Sequence, residues 1–399
     1  MKILNYIFVI LFLSYSIDCS AQLKEINVQM FGDSLVYIFQ KSLYIDTLKS
    51  DSENDIVDYI HTIDNADMQQ LSSALVQFNK NLNLDNWMYY QLIRKTAEQI
   101  APKKKNYILY TIYKWYLLTR SGYDAILTYH NGKVLFYVNS KDSIYNIPVR
   151  IEDNQQYVCL NYHDYENINF KEEIFNRIPI RTPNSTQSFT YKVNMVPAKK
   201  DETAEKVLQF KYNNTEYQFK IKLNQDVAAY FRNYPTMDYE KHFNIPLSRE
   251  TYNSLIPSLT KHVKGLSTKS GVDFLMHFTR YAFLFKSDKE NFGKEKRLSP
   301  EMTLLSESSD CEDRVSLFYY LVKEIYDLPM IIMVYPKHVS IAVHFDRNFG
   351  KTVEYNGKKF SICDPTPQGL DLNIGESLPT LKHEPYQVAF VYEPKYNKN

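Results

Sequence analysis

The chain has 399 residues, with 47 Lys and Arg against 46 Asp and Glu, and carries a formal charge of +1. That balance, with no basic run longer than Lys103-Lys104-Lys105, excludes a nucleic-acid partner, which needs a basic face. The length exceeds what one hydrophobic core spans, so two or three domains are expected.

Residues 1–21, MKILNYIFVILFLSYSIDCSA, carry Lys2, an apolar run from Ile3 to Leu13 and a small-residue end at Cys19-Ser20-Ala21. This is the layout of a secretory signal peptide, with cleavage expected after Ala21, and its apolar run is too short to span a bilayer. Acidic Asp18 disfavours lipidation of Cys19. No later stretch has the apolar length of a membrane helix. The expected location is therefore periplasmic or extracellular. After export Cys159, Cys311 and Cys363 remain. An odd count in an oxidising compartment leaves one thiol free or paired with another chain.

Residues 22–180 read as an N-terminal α+β domain. Strands are expected over 25–45 and two helices over 66–100, with Asp85 as the second N-cap. Over 181–240 the segments SFTYKVNMV, KVLQFKY and YQFKIKL alternate strongly, and Asn213-Asn214 forms a turn between the last two. This predicts a small antiparallel β unit over 184–224, with linker after it. Helices are expected over 248–255 and 270–285, opening a C-terminal domain over 241–399.

The stretch SESSDCEDRVSLFYYL, residues 306–321, places a cysteine where a polar loop becomes a helix. Ser306, Ser308, Ser309 and Asp310 are N-cap residue types, and Glu312 with Asp313 suit a first turn. Cys311 shares a stripe with Val315, Phe318, Tyr319, Val322 and Ile325, so the thiol should face the packed side while Glu312 and Asp313 point away. A helix N-terminus supplies unpaired N–H groups that favour thiolate and stabilise an oxyanion.

Two strands follow, MIIMVY and HVSIAV. The small Ser340 and Ala342 share a face with His338, which predicts close approach of a helix on that side. Asn356-Gly357 marks a hairpin, and Asp364 ends its second strand before Pro365-Thr366-Pro367. Cys363 points away from Asp364, which argues against a shared metal site and leaves it as core or as a disulfide candidate with Cys159. A thiol nucleophile needs a base, and that imidazole needs a carboxylate to set its tautomer. Cys311, His338 and Asp364 can fill those roles in turn.

On these residues, SDCEDR with its helix, HVSIAV and ICDPTPQ followed by IGES, the chain resembles the transglutaminase-like superfamily over residues 270–380. In particular it is similar to the bacterial transglutaminase-like cysteine proteinases. The resemblance implies an α+β, papain-like core in which a Cys-bearing helix packs on an antiparallel sheet carrying His and Asp. It implies Cys311 as nucleophile, His338 as general base and then acid, and Asp364 as the orienting carboxylate. Ser309 stands where that family usually has Gly, and the common Trp after His is absent. The implied activity is hydrolysis of a peptide or protein amide through a thioester, without metal or cofactor; no dedicated acidic loop marks a calcium site. The alternatives are a true transamidase, or a protein without turnover that binds peptide or glycan.

Sliding 311–343 back by 205 residues lays it on 106–138, again helix, break and two strands. Asn106 then falls on Cys311 and Lys133 on His338, and Asn161 comes near Asp364 after a two-residue shift. Two readings stay open: the N-terminal region is a degenerate copy of the same fold, or any helix followed by strands aligns as well as this.

Overall fold

The computed structural model describes residues 23–40, 47–165, 168–180, 182, 184–196, 203–292, 296–366 and 369–394. The expected signal peptide and the expected strand beyond Gln40, through Ile45, lie outside them. The protein is mixed α+β with antiparallel sheets.

A hairpin of β1 (Leu23–Met30) and β2 (Asp33–Gln40) precedes four helices, α1 (Glu53–Ile63), α2 (Ala66–Leu82), α3 (Asn86–Ile100) and α4 (Tyr107–Arg120). Each begins on a side-chain cap that accepts a free N–H of the first turn, from Ser52, Asn65, Asp85 and Asn106 respectively. There follow β3 (Ala125–His130), β4 (Lys133–Asn139), β5 (Ile144–Tyr145), β6 (Val149–Glu152), β7 (Gln155–Cys159) and β8 (Asn176–Arg177).

The hairpin β9 (Thr203–Tyr212) and β10 (Thr215–Asn224) leads through α5 (Asp226–Tyr230), β11 (Thr236–Met237) and α6 (Tyr239–Phe243) to the long helices α7 (Arg249–Val263) and α8 (Thr268–Tyr281). Short elements come next: β12 (Leu284–Phe285), α9 (Asp288–Phe292), α10 (Pro300–Leu305) and β13 (Ser308–Ser309). The chain then forms α11 (Cys311–Tyr326), β14 (Met330–Tyr335), β15 (His338–Val343), β16 (Thr352–Tyr355), β17 (Lys358–Ile362) and β18 (Gln387–Tyr392).

Two five-stranded antiparallel sheets share one strand order. The first runs β6-β7-β4-β3-β8 and the second β16-β17-β15-β14-β18. Each follows a helix, α4 or α11, in the same place. Their registers agree as well: His130 pairs with Lys133 as Tyr335 pairs with His338, and Tyr137 pairs with Cys159 as Ala342 pairs with Ile362. One residue further, Leu160 N–H donates to Phe136 O at 2.8 Å and Cys363 N–H to Ile341 O at 2.9 Å. Asn131-Gly132, Asp153-Asn154, Asn213-Asn214 and Asn356-Gly357 turn tight hairpins with positive φ at both positions, the twist that two-residue loops require.

In the first sheet the edges meet. Arg150 of β6 donates to Phe175 O, and Arg177 of β8 pairs with Glu152 of β6 at 2.8 Å. The curled sheet therefore has an inner core, Ile126, Leu135, Tyr137, Tyr157, Cys159 and Phe175, apart from the core it shares with α1–α4. The second sheet has the same two-sided arrangement. Ile331, Met333, Ala342, Phe360 and Ile362 fill one face, while Val339, Ile341, Val343 and Cys363 meet α8 and α11 on the other. Helix α11 thus approaches the face opposite to Ser340 and Ala342, contrary to the expectation from their small size, because the branched residues offer more apolar area to bury.

The expected β unit over 184–224 is reduced to the β9–β10 hairpin, which packs on α7 and α8. Residues 184–196 instead run as a strap along the first sheet, bridging at Gln187 with Tyr123 and at Phe189 with Ser140. Phe189, Tyr191, Val193 and Val196 are buried in the N-terminal core, and that burial decides where the segment goes. Cys159 and Cys363 do not pair: both are free thiols sealed in different cores.

Glu301 of α10 closes the N-terminus of α7. Its carboxylate accepts from Ser248 N–H (2.5 Å), Ser248 Oγ (2.6 Å) and Thr251 Oγ1 (2.6 Å). Glu301→Ala strands these buried donors and is expected to lower unfolding stability by about 3 kcal/mol, measured by urea titration.

Candidate active site

Helix α11 starts on a capping box. Asp313 N–H donates to Asp310 Oδ1 at 3.1 Å, and Asp310 N–H donates back to Asp313 Oδ2. Cys311 is therefore the first helical residue, and the thiol sits at the positive end of the dipole. The backbone N–H of Val339, the residue after His338, favours the thiolate, so the strand start and the helix start meet at the thiol. His338 Nε2 donates to Asp364 Oδ2 at 2.7 Å, both residues being buried. Asp364 Oδ1 accepts Thr366 N–H at 3.0 Å, which fixes the carboxylate plane. With Nε2 spent on Asp364, Nδ1 is the ring nitrogen left to act as acceptor. The three residues singled out in the sequence converge on one place.

The thiol is not primed in the way the helix terminus alone suggests. Burial, reinforced by the negative charges of Asp310, Glu312 and Asp364, pushes it up to about 12 against the pull of the Val339 N–H. The dipole contribution is outweighed by desolvation. Free thiolate is scarce at neutral pH, and the proton has to leave during attack.

Glu312 and Asp313 do not point into solvent as expected. Arg297 grips Glu312 with two bonds of 2.9 Å, Tyr239 OH donates to it at 2.6 Å, and the Arg297 guanidinium lies 4.0 Å from the Tyr239 ring centroid. Burial tends to raise Glu312, but Arg297 and Tyr239 hold its carboxyl below the usual range. Asp313 is buried and accepts Leu298 N–H at 2.8 Å. Burial, with Asp310 and Asp288 beside it, pushes Asp313 well above the usual range. The carboxylates of Asp288, Asp310 and Asp313 lie within 4.8 Å of one another, the spacing of a metal-binding group among the described residues.

Two buried arginines that the sequence did not single out brace the site. Arg314 Nε donates to Ser309 Oγ at 3.0 Å, and its terminal nitrogens donate to Arg280 O (2.8 Å) and Phe283 O (2.9 Å) at the end of α8. Burial lowers Arg314 to about 10 despite nearby Asp313 and Asp310. Ser309 pairs with Phe285 through β13 and β12, and its φ is not positive. Glycine's freedom is therefore not needed there, and the serine hydroxyl gains a partner. Arg280 in turn donates to Asp364 O at 2.5 Å.

In the first sheet, Asn106 caps α4 as Asp310 caps α11, so Tyr107, not Asn106, holds the position of Cys311. Lys133 opens β4 as His338 opens β15, and it pairs with Glu173 at 2.6 Å. Asn161, two residues past β7 as Asp364 is past β17, donates to Tyr107 OH at 3.0 Å and accepts Phe136 N–H at 2.8 Å. Tyr107, Lys133 and Asn161 thus do not repeat the Cys, His and Asp at these three positions.

Asp310→Asn keeps the capping acceptor and removes one of the charges that raise the thiol. A lower thiol pKa means more thiolate at any pH below it, so alkylation of Cys311 by iodoacetamide at about pH 8 should quicken roughly fivefold, with unchanged fold by circular dichroism. Comparison with family models, curated proteins and solved structures finds no match to this chain, so the chemistry of the site has to be argued from its own residues.

Proposed function

We propose that this chain is an exported cysteine-dependent amide hydrolase of the transglutaminase-like type, acting on peptide or protein amides. The observation that carries the reading is the His338–Asp364 bond of 2.7 Å beside a thiol at the first position of α11. With the thiol at about 12, His338 Nδ1 takes its proton as the sulfur attacks the amide carbon. A C–S bond forms and the carbonyl becomes an oxyanion, which the Cys311 backbone N–H at the helix start can bind. Collapse breaks the C–N bond, and His338 gives its proton to the leaving amine. Water then attacks the thioester, passes a proton to His338, and the sulfur leaves to recover it. Asp364 holds the tautomer and offsets the imidazolium charge throughout.

Export rests on residues 1–21, and the family assignment rests on the three motifs together with the antiparallel sheet and helix order. The N-terminal region we read as a second copy that has lost the chemistry, supported by the shared strand order and register and by Tyr107, Lys133 and Asn161 at the three positions. That region also favours the second reading, in which the chain binds or assembles peptide or glycan partners without turnover.

The test is acylation by p-nitrophenyl acetate, followed by mass spectrometry of the labelled residue. Acetyl transfer should map to Cys311 and fall by about 10²–10⁴ in His338→Ala. Equal rates in the two proteins would sink the enzymatic reading. Peptide mixtures with and without an added amine then separate hydrolysis from transamidation, and hydrolysis is the expected outcome.

A further inference from the structure

We propose that Asp371 and Arg280 are positioning residues that set the angle of Asp364 and, through it, the tautomer and orientation of His338. The inference rests on the functional reading above and extends it to residues that touch neither the thiol nor the imidazole.

On α8, His277, Arg280 and Tyr281 stand at spacings of three and four and so share one helix face. All three converge on a single oxygen. Asp371 Oδ1 accepts from Arg280 at 2.9 Å and from Tyr281 OH at 2.9 Å, and lies 3.0 Å from His277 Nε2. Asp371 is itself mostly exposed, with 64% of its side chain open to solvent, whereas Arg280 is wholly buried. An exposed carboxylate with two donors and an imidazole from one helix holds its loop onto that helix. It is also the only ion-pair partner of the buried Arg280 among the described residues, and a buried cation needs one.

Arg280 spends its other terminal bonds on main-chain carbonyls of the same loop, Leu372 O at 2.8 Å and Asp364 O at 2.5 Å. The guanidinium is planar and its donors are fixed in a fork, so three acceptors on one loop leave it no rotation. Asp364 is gripped at its carbonyl by Arg280 and at its carboxylate by Thr366 N–H. What remains for its second oxygen is the direction of His338 Nε2. A slack Asp364 would let the imidazole populate the Nδ1–H tautomer, in which Nδ1 carries a proton and cannot accept one.

Two variants and two readouts test this. Asp371→Asn keeps a carbonyl but removes the charge; Tyr281→Phe removes one donor from an exposed ring and leaves Arg280 paired. Imidazole ¹⁵N shifts of His338 report the tautomer whether or not any substrate turns over, and p-nitrophenyl acetate acylation of Cys311 reports its consequence. Asp371→Asn should mix the tautomers and slow acylation about tenfold, and Tyr281→Phe should slow it about twofold, with Asp371→Glu restoring both readouts. Unchanged His338 shifts in a folded Asp371→Asn protein would overturn the positioning role, even where acylation depends on His338. Acylation indifferent to His338→Ala would instead overturn the enzymatic reading, while the shifts still decide whether Asp371 sets the tautomer.

Discussion

Two arginines set back to back at the C-terminal end of α8 carry the site. Arg314 reaches from α11 to the carbonyls of Arg280 and Phe283 and to Ser309, two residues before Cys311. Arg280 reaches the other way, to the carbonyl of Asp364. Helix-end carbonyls are orphan acceptors at the negative end of a dipole, so guanidinium groups satisfy both geometry and charge there. Both arginines are buried, and removing either would leave two main-chain carbonyls without these donors, at about 1–3 kcal/mol each. The relative position of thiol and carboxylate is thus held by one helix end that belongs to neither.

That bracket explains why a thiol so unwilling to ionise is compatible with order at the site. Burial and three carboxylates around Cys311 work against thiolate, yet the same carboxylates serve the structure: Asp310 caps the helix, Glu312 binds Arg297, and Asp364 binds His338. Arg297 also donates to Met237 O at 2.6 Å, and β11, which contains Met237, pairs with β5 of the first sheet's domain. The residue next to Cys311 is in this way tied to the other half of the chain.

The order Cys311, His338, Asp364 was legible because each residue carries a local mark: a run of N-cap types, an alternating strand, and an Asn-Gly hairpin stopped by proline. The bracing arginines were not legible. A charged side chain reads as surface, and the main-chain carbonyls that accept from Arg280 and Arg314 leave no trace in composition. Asp313 misled for a related reason, since an acidic residue in a first turn reads as solvated until the capping box folds it inward. The ungapped comparison of 106–138 with 311–343 missed by one residue at the helix start because Asn106 and Asp310, not Asn106 and Cys311, share the capping role. The strap over 184–196 alternates as a strand does, but its aromatic residues find their burial against the first sheet and leave the β9–β10 hairpin as a pair. The side of the second sheet chosen by α11 likewise followed apolar area where small size had suggested otherwise.

The separation of the three cysteines has a chemical consequence. Cys159 and Cys363 are enclosed in different cores, and burial raises Cys159 to about 12 and lifts Cys363 well above its ordinary value. Neither is bonded to Cys311. If Cys311 is oxidised to a sulfenic acid, none of these thiols can condense with it to form a protective disulfide, so the next steps on the ladder are irreversible unless a small thiol arrives from solution. The same packing that keeps two cysteines inert leaves the third without an internal means of repair, and makes its redox fate a property of the surrounding medium.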